Sequence, residues 1–355
     1  MERLTLIASK RNWIDTRSVE TLQQLTSYRG ITRVVGLPDL SVGRVPNGMA
    51  LFSTGRIYPH LIGSDIGCGM ALYESKIKAK KIRTERFYKY LRKIETLDEI
   101  EVESKLEGYN LGSIGRGNHF AELHRVNEVH DSRLFDEQGL NVESLYTLVH
   151  SGSRAYGQIV FDRVSGKYDP TQGIESSSKE AQEYLVNHDR AIENAKRSRE
   201  VIAHKLLKAI KINTQPSLVS DIAHNSIIQY KEGWLHRKGA TPTDKGAVVI
   251  AGSRGSLSYL VMPRDDTTLS NYSLAHGAGR KWERGSVEAK LKNRYTKSEL
   301  LTTAIGSRVI CEDKKLLYEE ASEAYKNIDI VIGDLVEAGL ATIIASFKPI
   351  LTYKE

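Results

Sequence analysis

The amino-acid sequence predicts an α+β fold, built as a single large mixed-sheet domain over residues 1–355 with site-forming loops around a central cleft. Short apolar runs typical of buried strands alternate irregularly with helical segments. Several of these runs end at a glycine-rich patch or at a histidine. A chain of 355 residues could form one domain or two. We favour one domain because no repeat, low-complexity tract or Gly/Ser/Pro linker divides the chain.

Six short apolar runs are predicted as strands, at residues 31–37, 70–74, 145–150, 247–251, 258–262 and 341–347. Apolar residues at helical spacing predict a long helix over 177–212, either continuous or broken in two. Ser177 and Glu180 have the spacing of a capping box at its start. A second helical stretch is predicted over 314–338, with a weak point near Gly333.

The composition excludes disordered and fibrous proteins, since 40% of residues are hydrophobic and 27% charged. The chain has no apolar run of the ~20 residues that a membrane helix needs and no signal-peptide pattern at its start. We therefore expect a cytoplasmic protein with no membrane association. Its formal charge of +7, from 51 basic and 44 acidic residues, favours a polyanionic partner without demonstrating one.

Four of the ten histidines lie at predicted element boundaries beside small or amide-bearing residues, which is how side chains are presented to a cavity. These four are His119, His150, His224 and His276. The other six are interpreted as surface or core residues: His60, His124, His130, His188, His204 and His236. We expect His188 and His204 to be solvated, because they lie among charges on the long helix.

Asp65 and Cys68 lie three residues apart in a predicted turn. Two cysteines cannot hold together a chain of this length, so Cys68 is either a core residue or a site residue. A carboxylate, a thiol and several imidazoles are the ligand set of zinc, manganese or iron. No CxxC pattern is present, and ligands this far apart in sequence can meet only through the fold.

Phosphate binding is suggested separately by short motifs that combine glycine with serine or arginine: HSGSR, GSRGS and HGAGR. Backbone N–H groups in such turns bind oxyanions, and arginine recognises them through two hydrogen bonds. The pair of cations in HRKG adds to this pattern. Each motif alone is weak evidence, because Gly-Ser-Arg turns are common.

Together and in order, these motifs resemble those of the RtcB family of GTP-dependent RNA ligases. The resemblance rests on DIGCGM, GRGNHFAE, HSGSR, DIAHN, HRKGAT, GSRGSLSY and HGAGR, and covers residues 36–354. It implies the fold of that family and an enzyme that joins an RNA 3′-phosphate or 2′,3′-cyclic phosphate end to a 5′-hydroxyl end. The implied cofactors are GTP and two Mn²⁺ ions.

The resemblance also implies roles for individual residues. His276 becomes the nucleophile that forms a histidine–GMP intermediate. The implied ligands of the two manganese ions, with Cys68 shared between them, are Asp65, Cys68, His119, His150 and His224. The implied nucleotide contacts are Asn118, Glu122, Asn225, Ser253, Ser258, Gly277, Ala278, Tyr325 and Lys354. The implied contacts to RNA phosphates are Arg154, Arg237, Lys238 and Arg280, with Asn225 a candidate for this role too. Tyr325 could instead be a core aromatic, and Lys354 part of a frayed terminus.

The chain departs from the family pattern at several positions. Ser41 and Pro242 stand where the family commonly has histidine and arginine, and Trp282 and Glu283 where methionine and serine are common. The segment RIYPHLIGSDIGCGM is similar to the branch associated with release factor H. That similarity implies repair of cleaved RNA, with release factor H or the ribosome as a partner. Two other functions remain open: a metal-dependent phosphoesterase and a catalytically silent RNA-binding protein.

Overall fold

A computed structural model describes residues 3–94, 96–101 and 111–355 of the chain. In these ranges the strands are β1 Leu4–Leu6, β2 Ile31–Ser41, β3 Asn47–Ser53, β4 Arg56–Ile57, β5 Gly69–Lys78, β6 Phe120–Val129, β7 Ser144–Ser151, β8 Ile174–Glu175, β9 Ser217–Ala223, β10 Asn225–Tyr230, β11 Gly233–Lys238, β12 Ala240–Pro242, β13 Val248–Ile250, β14 Ser258–Pro263, β15 Ser273–Ala275, β16 Arg308–Ile310 and β17 Ala341–Tyr353. The α-helices are α1 Thr16–Leu25, α2 Pro59–Ile62, α3 Thr84–Leu91, α4 Ser132–Glu137, α5 Ala155–Asp162, α6 Lys179–Ala209, α7 Arg284–Leu291, α8 Lys297–Leu300, α9 Lys314–Glu319 and α10 Ile328–Glu337. Short 3₁₀ turns occur at Ala79–Lys81, Leu97–Glu99, Thr268–Ser270 and Ser322–Ala324.

The larger of two main sheets has the strand order β13-β14-β17-β6-β7-β5-β9, with β16 pairing in parallel to β17. Its two ends approach each other. The Ser220 hydroxyl on β9, at one end, donates to the Ala247 carbonyl just before β13, at the other end, at 2.7 Å. The second sheet has the order β1-β2-β3-β11-β10. The predicted α+β class with a large mixed sheet is confirmed.

The long helix α6 packs its apolar stripe against β5 and β7 of the larger sheet. Ile202 and Leu206 of the helix share one buried cluster with Ala71 of β5 and Val149 of β7. Burying a side chain of this size contributes about 1.5–3 kcal/mol. This packing fixes the helix beside the ends of the central strands, where the candidate site lies.

The predicted strands are present but several are longer than their apolar runs. The run at 341–347 continues as β17 to Tyr353, through Pro349. Proline has no N–H for a strand ladder, and here it sits at a register irregularity between β17 and β6. The apolar run therefore underestimated this strand, because a bulge lets it pass a residue that normally ends a strand.

The predicted helix over 177–212 is one continuous helix of 31 residues, α6. Its N-cap is Ser178, whose hydroxyl accepts from the Ala181 N–H at 3.2 Å. The capping box predicted from Ser177 and Glu180 is therefore wrong, because the third residue after the actual cap is an alanine, which has no carboxylate to return. The predicted helix over 314–338 is two helices, α9 and α10, and Gly333 lies inside the second. Among the described residues, no helix combines the length and apolar character needed to cross a bilayer.

Candidate active site and metal cluster

The predicted metal ligands meet at one edge of the larger sheet. His119 lies directly before β6, His150 near the end of β7, Cys68 directly before β5, and His224 directly after β9. These four strands are neighbours and antiparallel, so β6 and β5 begin where β7 and β9 end. Asp65 reaches the same edge from the turn that leads to Cys68. Strand pairing thus unites ligands that are distant in sequence.

The donor atoms of these side chains are in direct contact. Cys68 Sγ lies 3.1 Å from His150 Nε2 and 3.3 Å from His119 Nε2. His150 Nε2 lies 3.3 Å from His224 Nε2, and His119 Nε2 lies 3.1 Å from Asp65 Oδ2. The atoms form two triads that could each hold a metal ion, and Cys68 belongs to both. A thiolate, imidazoles and a carboxylate at this separation fit a divalent transition metal.

Hydrogen bonds on the outer ring nitrogens set how the histidines can bind. Nδ1 of His150 donates to the Asn118 carbonyl at 3.1 Å, which leaves the lone pair on Nε2 facing the cluster. Arg154 donates to Nδ1 of His119 at 3.0 Å, so neutral His119 carries its proton on Nε2 and donates it to Asp65. For His119 to bind a metal through Nε2, its proton must move to Nδ1 and Arg154 must turn away.

Burial controls protonation in the cluster. It lowers the pKa of His150 and of His224 well below 6.5, and neighbouring histidines lower both further. Both imidazoles are therefore neutral, as ligands must be. Burial raises the pKa of the Cys68 thiol well above its usual value, and the adjacent Asp65 carboxylate adds to this effect. Burial also opposes ionisation of Asp65, but His119, Lys238 and Cys68 together outweigh it and hold the pKa of that carboxyl well below its usual range.

Arg199, a residue that the sequence analysis did not single out, supports the cluster from behind. Its guanidinium is fully buried, pairs with Asp221 at 2.6 Å, and donates to the carbonyls of Gly67 and Ser151 at 2.8 Å each. It therefore ties α6 to the loop that carries Cys68 and to the end of β7. Its signal in the sequence was an arginine on the apolar stripe of a helix, where a charge needs partners.

Gly152, the residue directly after β7, lies against Asp65. A Cβ at this position would be 2.1 Å from Asp65 Oδ1, so any side chain here would displace the carboxylate.

His276 forms a pair with the fully buried Asp39 on β2. Nδ1 of His276 lies 2.5 Å from Asp39 Oδ2, which also accepts from the His276 backbone N–H at 3.1 Å. The carboxylate fixes the proton on Nδ1 and leaves the lone pair on Nε2. The His276 ring centroid is 4.6 Å from that of His224, so this pair adjoins the metal cluster. Asp39 was not predicted, because the predicted strand ended at residue 37, whereas β2 continues to Ser41.

A cavity opens beside His276, and His276 and His150 form part of its wall. Most of the predicted nucleotide contacts line it: Asn118, Glu122, Ser253, Gly277, Ala278, Tyr325 and Lys354. Arg280, predicted as an RNA contact, and Ser41, a departure from the family pattern, line it as well. Three further charged residues of its wall were not predicted: Arg254, Arg284 and Glu320.

Buried charge pairs hold the wall of this cavity. Glu320 accepts from the Tyr325 hydroxyl and pairs with Arg280 at 3.0 Å and with Lys354 at 3.6 Å. Burial would raise the pKa of Glu320, but Lys354 and Arg280 lower it to about 2. Lys354 is buried and donates to the His119 carbonyl at 2.9 Å, so the frayed-terminus interpretation is wrong. Its ammonium links the cavity wall to the metal cluster.

Four of the predicted contacts hold backbone instead of lining the cavity. Asn225 donates to the Asp65 carbonyl at 3.0 Å and accepts from Gly239 at 2.8 Å. The Ser258 hydroxyl accepts from the Gly252 N–H at 3.1 Å.

The other two are cations of the HRKG motif. Lys238 donates to the Ile62 carbonyl at 2.8 Å. Arg237 is buried and donates to the Tyr272 carbonyl and the Ser273 hydroxyl at 2.9 Å each. Their contacts to nucleotide or RNA stay predictions.

The six remaining histidines lie outside both triads. His236 and His188 are fully buried, and their Nε2 atoms accept backbone N–H groups from Tyr58 at 2.9 Å and from Ile227 at 3.0 Å. The predicted solvent exposure of His188 is wrong, because its face of α6 packs against β10. His124 is buried beside Glu122, whereas His60 and His204 are half-buried and His130 is exposed.

Comparisons with known proteins agree with this geometry. A family model described as tRNA-splicing ligase RtcB matches residues 95–355. RNA-splicing ligase RtcB2 of Escherichia coli is 43% identical, over 98% of this chain and 94% of that protein. The tRNA-splicing ligase RtcB of Archaeoglobus fulgidus is 30% identical over 68% of this chain, and that of Pyrococcus horikoshii is 28% identical over 92%. The matches span 58% and 42% of those two archaeal proteins.

Proposed function

Because the chain belongs to the RtcB family, we propose that it is a GTP-dependent RNA ligase that joins 3′-phosphate or 2′,3′-cyclic phosphate ends to 5′-hydroxyl ends. The observation that carries the proposal is the His276–Asp39 pair, which stands between the metal cluster and a cavity lined by cations and by glycine-rich turns. A nucleophile, an oxyanion site and a candidate metal centre are then adjacent.

In this proposal His276 attacks the α-phosphorus of GTP through Nε2. Asp39 holds the proton on Nδ1 and stabilises the positive charge that develops on the ring. A nitrogen–phosphorus bond forms, the bond to the leaving pyrophosphate breaks, and GMP remains on His276. Neutral imidazole is a competent nucleophile near pH 7, which suits histidine for this step.

Two further transfers complete the ligation. The RNA 3′-phosphate takes the guanylyl group from His276, so that the nitrogen–phosphorus bond breaks and an RNA–GMP anhydride forms. The 5′-hydroxyl then attacks the RNA phosphate, loses its proton, and displaces GMP as the new phosphodiester forms. Activation is needed because a phosphate monoester is a poor electrophile with a poor leaving group, and covalent catalysis divides the transfer into easier steps.

We assign two Mn²⁺ ions to the two triads. Asp65, Cys68 and His119 would hold one, and Cys68, His150 and His224 the other. When bound, the ions supply positive charge that neutralises phosphoryl oxygens. The neutral state of His150 and His224 in the metal-free protein supports this assignment.

The cavity beside His276 is the proposed nucleotide site. Its lining by Asn118, Glu122, Ser253, Tyr325 and Lys354 supports this assignment. We assign RNA phosphates to a set of cations near the cavity and the cluster: Arg154, Arg237, Lys238 and Arg280. The overall charge of +7 favours such a polyanion.

The proposed setting follows from the family branch. We propose one catalytic domain over residues 1–355 that acts in the cytoplasm and repairs cleaved RNA. Release factor H or the ribosome is the proposed partner.

The proposal is tested by incubating the metal-loaded protein with α-labelled GTP. We expect an acid-labile label on the wild type, its loss in His276→Ala, and its retention in His188→Ala, which removes a buried histidine outside the site. Absence of label on the metal-loaded wild type contradicts the proposal. Hydrolysis of RNA phosphoesters that persists in His276→Ala would indicate a metal-dependent phosphoesterase instead, since water activation needs no histidine nucleophile. RNA binding without bound metal would indicate a catalytically silent protein.

A further inference from the structure

Lys326 makes two hydrogen bonds that bracket Asp39. Its ammonium donates to the Pro38 carbonyl at 3.0 Å and to the Leu40 carbonyl at 2.7 Å. Pro38 and Leu40 are the two chain neighbours of Asp39, and Lys326 is itself buried. One side chain thus holds the backbone on both sides of the carboxylate that contacts His276.

This stretch of β2 lacks the regular support of a strand ladder. β2 pairs with β3 at Gly36 and again at Ser41, with a register irregularity between these two positions. A buried backbone carbonyl without a partner costs free energy, so the carbonyls in this interval need other donors. The Lys326 ammonium supplies one to Pro38 and one to Leu40, and the Asn12 side chain donates a second to Pro38 at 2.9 Å.

A second contact joins Lys326 to the loop of the nucleophile. Its backbone N–H donates to the Gly279 carbonyl at 3.0 Å, three residues after His276. Gly279 has a φ of +70°, and a Cβ there would lie 2.2 Å from the Asp39 carbonyl oxygen, so this loop packs directly on Asp39. Lys326 therefore contacts the segments of both members of the pair, one through its side chain and one through its backbone.

We propose that Lys326 is a positioning residue that fixes the Asp39 carboxylate and, through it, the proton and orientation of His276. The inference rests on the proposed function for its catalytic consequence, whereas the positioning itself concerns only the geometry of the free protein. An orienting carboxylate acts through its placement, and a displacement of ~1 Å at a reacting group can cost ~100-fold in rate.

The charge of Lys326 suits this role. Burial lowers the pKa of Lys326 to about 8, although Asp39 and Asp334 act in the opposite direction. At pH 7 the ammonium is protonated and carries three N–H donors, of which the two carbonyls use two. Oδ1 of Asp39 is buried and has no hydrogen-bond partner in the part of the chain that the structure describes, so the carboxylate depends on few contacts for its position.

The first test compares guanylylation rates of Lys326 variants under single-turnover conditions with α-labelled GTP. Lys326→Met keeps the backbone contact to Gly279 and most of the side-chain volume but removes the donors and the charge. We expect the rate at saturating GTP to fall ~10- to 100-fold, with the half-saturating GTP concentration changed less than ~2-fold. Lys326→Arg should recover most of the rate. Lys205→Met is the control, because Lys205 is also buried but pairs with Asp98.

The second test needs no activity. In metal-free protein with ¹⁵N-labelled histidine, the Nδ1 proton of His276 should give a downfield NMR signal, assigned by its loss in His276→Ala. We expect this signal to disappear in Lys326→Met and to persist in Lys326→Arg and Lys205→Met. Lys326→Gln, which keeps an amide donor, gives a second reading should the methionine variant not fold, and we expect a weakened signal.

The outcomes separate the two proposals. If the wild type takes no label, the proposed function fails, while the NMR comparison still decides the positioning role. An unchanged signal in Lys326→Met overturns that role, even if the guanylylation rate falls, because Lys326 would then not act through Asp39. If Lys326→Met does not fold, a wild-type signal in Lys326→Gln overturns it equally.

Discussion

The histidines of the metal cluster and those of the core are equally buried but have opposite surroundings. Nε2 of His150 lies 3.3 Å from Nε2 of His224 and 3.1 Å from Cys68 Sγ, so its neighbours are other candidate ligands. Nε2 of His188 and of His236 each accept a backbone N–H, at 3.0 and 2.9 Å. Burial alone therefore does not distinguish a candidate ligand from a structural histidine, whereas the hydrogen-bond partner does.

The difference has an energetic basis. A core histidine satisfies a buried N–H that would otherwise cost about 1–3 kcal/mol. In the metal cluster, Nε2 of His150 contacts other side chains that could bind a metal and satisfies no backbone group. Local arrangements that are unfavourable for stability are expected at functional sites, where another role maintains them. His276 belongs to neither the cluster histidines nor the core histidines, because its Nδ1 donates to a buried carboxylate.

The largest effect, on the guanylylation rate, is expected from Asp39→Asn. This variant tests whether the carboxylate contact sets His276 apart from the cluster and core histidines. The amide can donate to Nδ1 and so place the ring proton on Nε2, the nitrogen that should attack. We expect the guanylylation rate to fall about 10²- to 10⁴-fold. Single-turnover labelling with α-labelled GTP measures it, with Asp131→Asn at the cap of α4 as the control. A rate within ~2-fold of the wild type would remove the distinction.

The next effect concerns metal binding and separates ligand from core histidines. We expect His150→Ala to weaken Mn²⁺ binding by at least ~10- to 100-fold, because it removes a donor atom from one triad. His188→Ala should bind the metal like the wild type. Elemental analysis after dialysis and calorimetric titration measure the difference. Equal metal content in the two variants would contradict the assignment of this triad.

A smaller effect is expected on stability. Here the substitution of a core histidine should cost more than that of a cluster histidine. His236→Ala leaves a cavity and an unpaired Tyr58 N–H, so we expect the free energy of unfolding to fall by about 2–4 kcal/mol. His150→Ala should cost less in the metal-free protein, since Nε2 of His150 satisfies no backbone group and Asn118, whose carbonyl accepts from Nδ1, is only half-buried. Urea unfolding of metal-free samples at pH 7 provides the comparison. A larger loss for His150→Ala than for His236→Ala would mean that the cluster is also a structural core.

The smallest expected effect is a dependence of the free energy of unfolding on pH. Burial lowers the pKa of His236 from 6.5 to about 3. Between these values the unfolded state binds a proton that the folded state does not, so stability is present above pH 6.5 and is lost as pH falls. We expect His236 to contribute ~1.4 kcal/mol per pH unit in this window. The free energy of unfolding of the wild type should therefore exceed that of His236→Ala by less as the pH falls. A difference between the two proteins that does not change with pH would contradict this prediction.

The fold class and the metal cluster could be predicted because their signals are local. Strands appear as apolar runs, and ligands presented to a cavity stand at element boundaries beside small or amide-bearing residues, as His119 and His224 do. The contact between Cys68 and His150 could not be derived from spacing, since it depends on which strands pair. Only the resemblance to a known family supplied that information.

The residues missed by the sequence analysis act over long separations. Asp39 and His276 are 237 positions apart, and Lys326 reaches Pro38 across 288. Asp39 and Lys326 are ordinary charged residues in their local sequences, and nothing there specifies their partners. The exposure of His188 was mispredicted for a related reason, because adjacent charges do not show which helix face packs against β10.

The thiol shared by the two triads has a consequence for stoichiometry. A metal ion that binds Cys68 must displace the thiol proton, and burial makes that displacement costly. If the two proposed ions shared this sulfur, the first would bear the whole cost and the second would meet a thiolate already formed. Filling both triads would then release a single thiol proton, and this linkage would favour cooperative loading against the mutual repulsion of the cations.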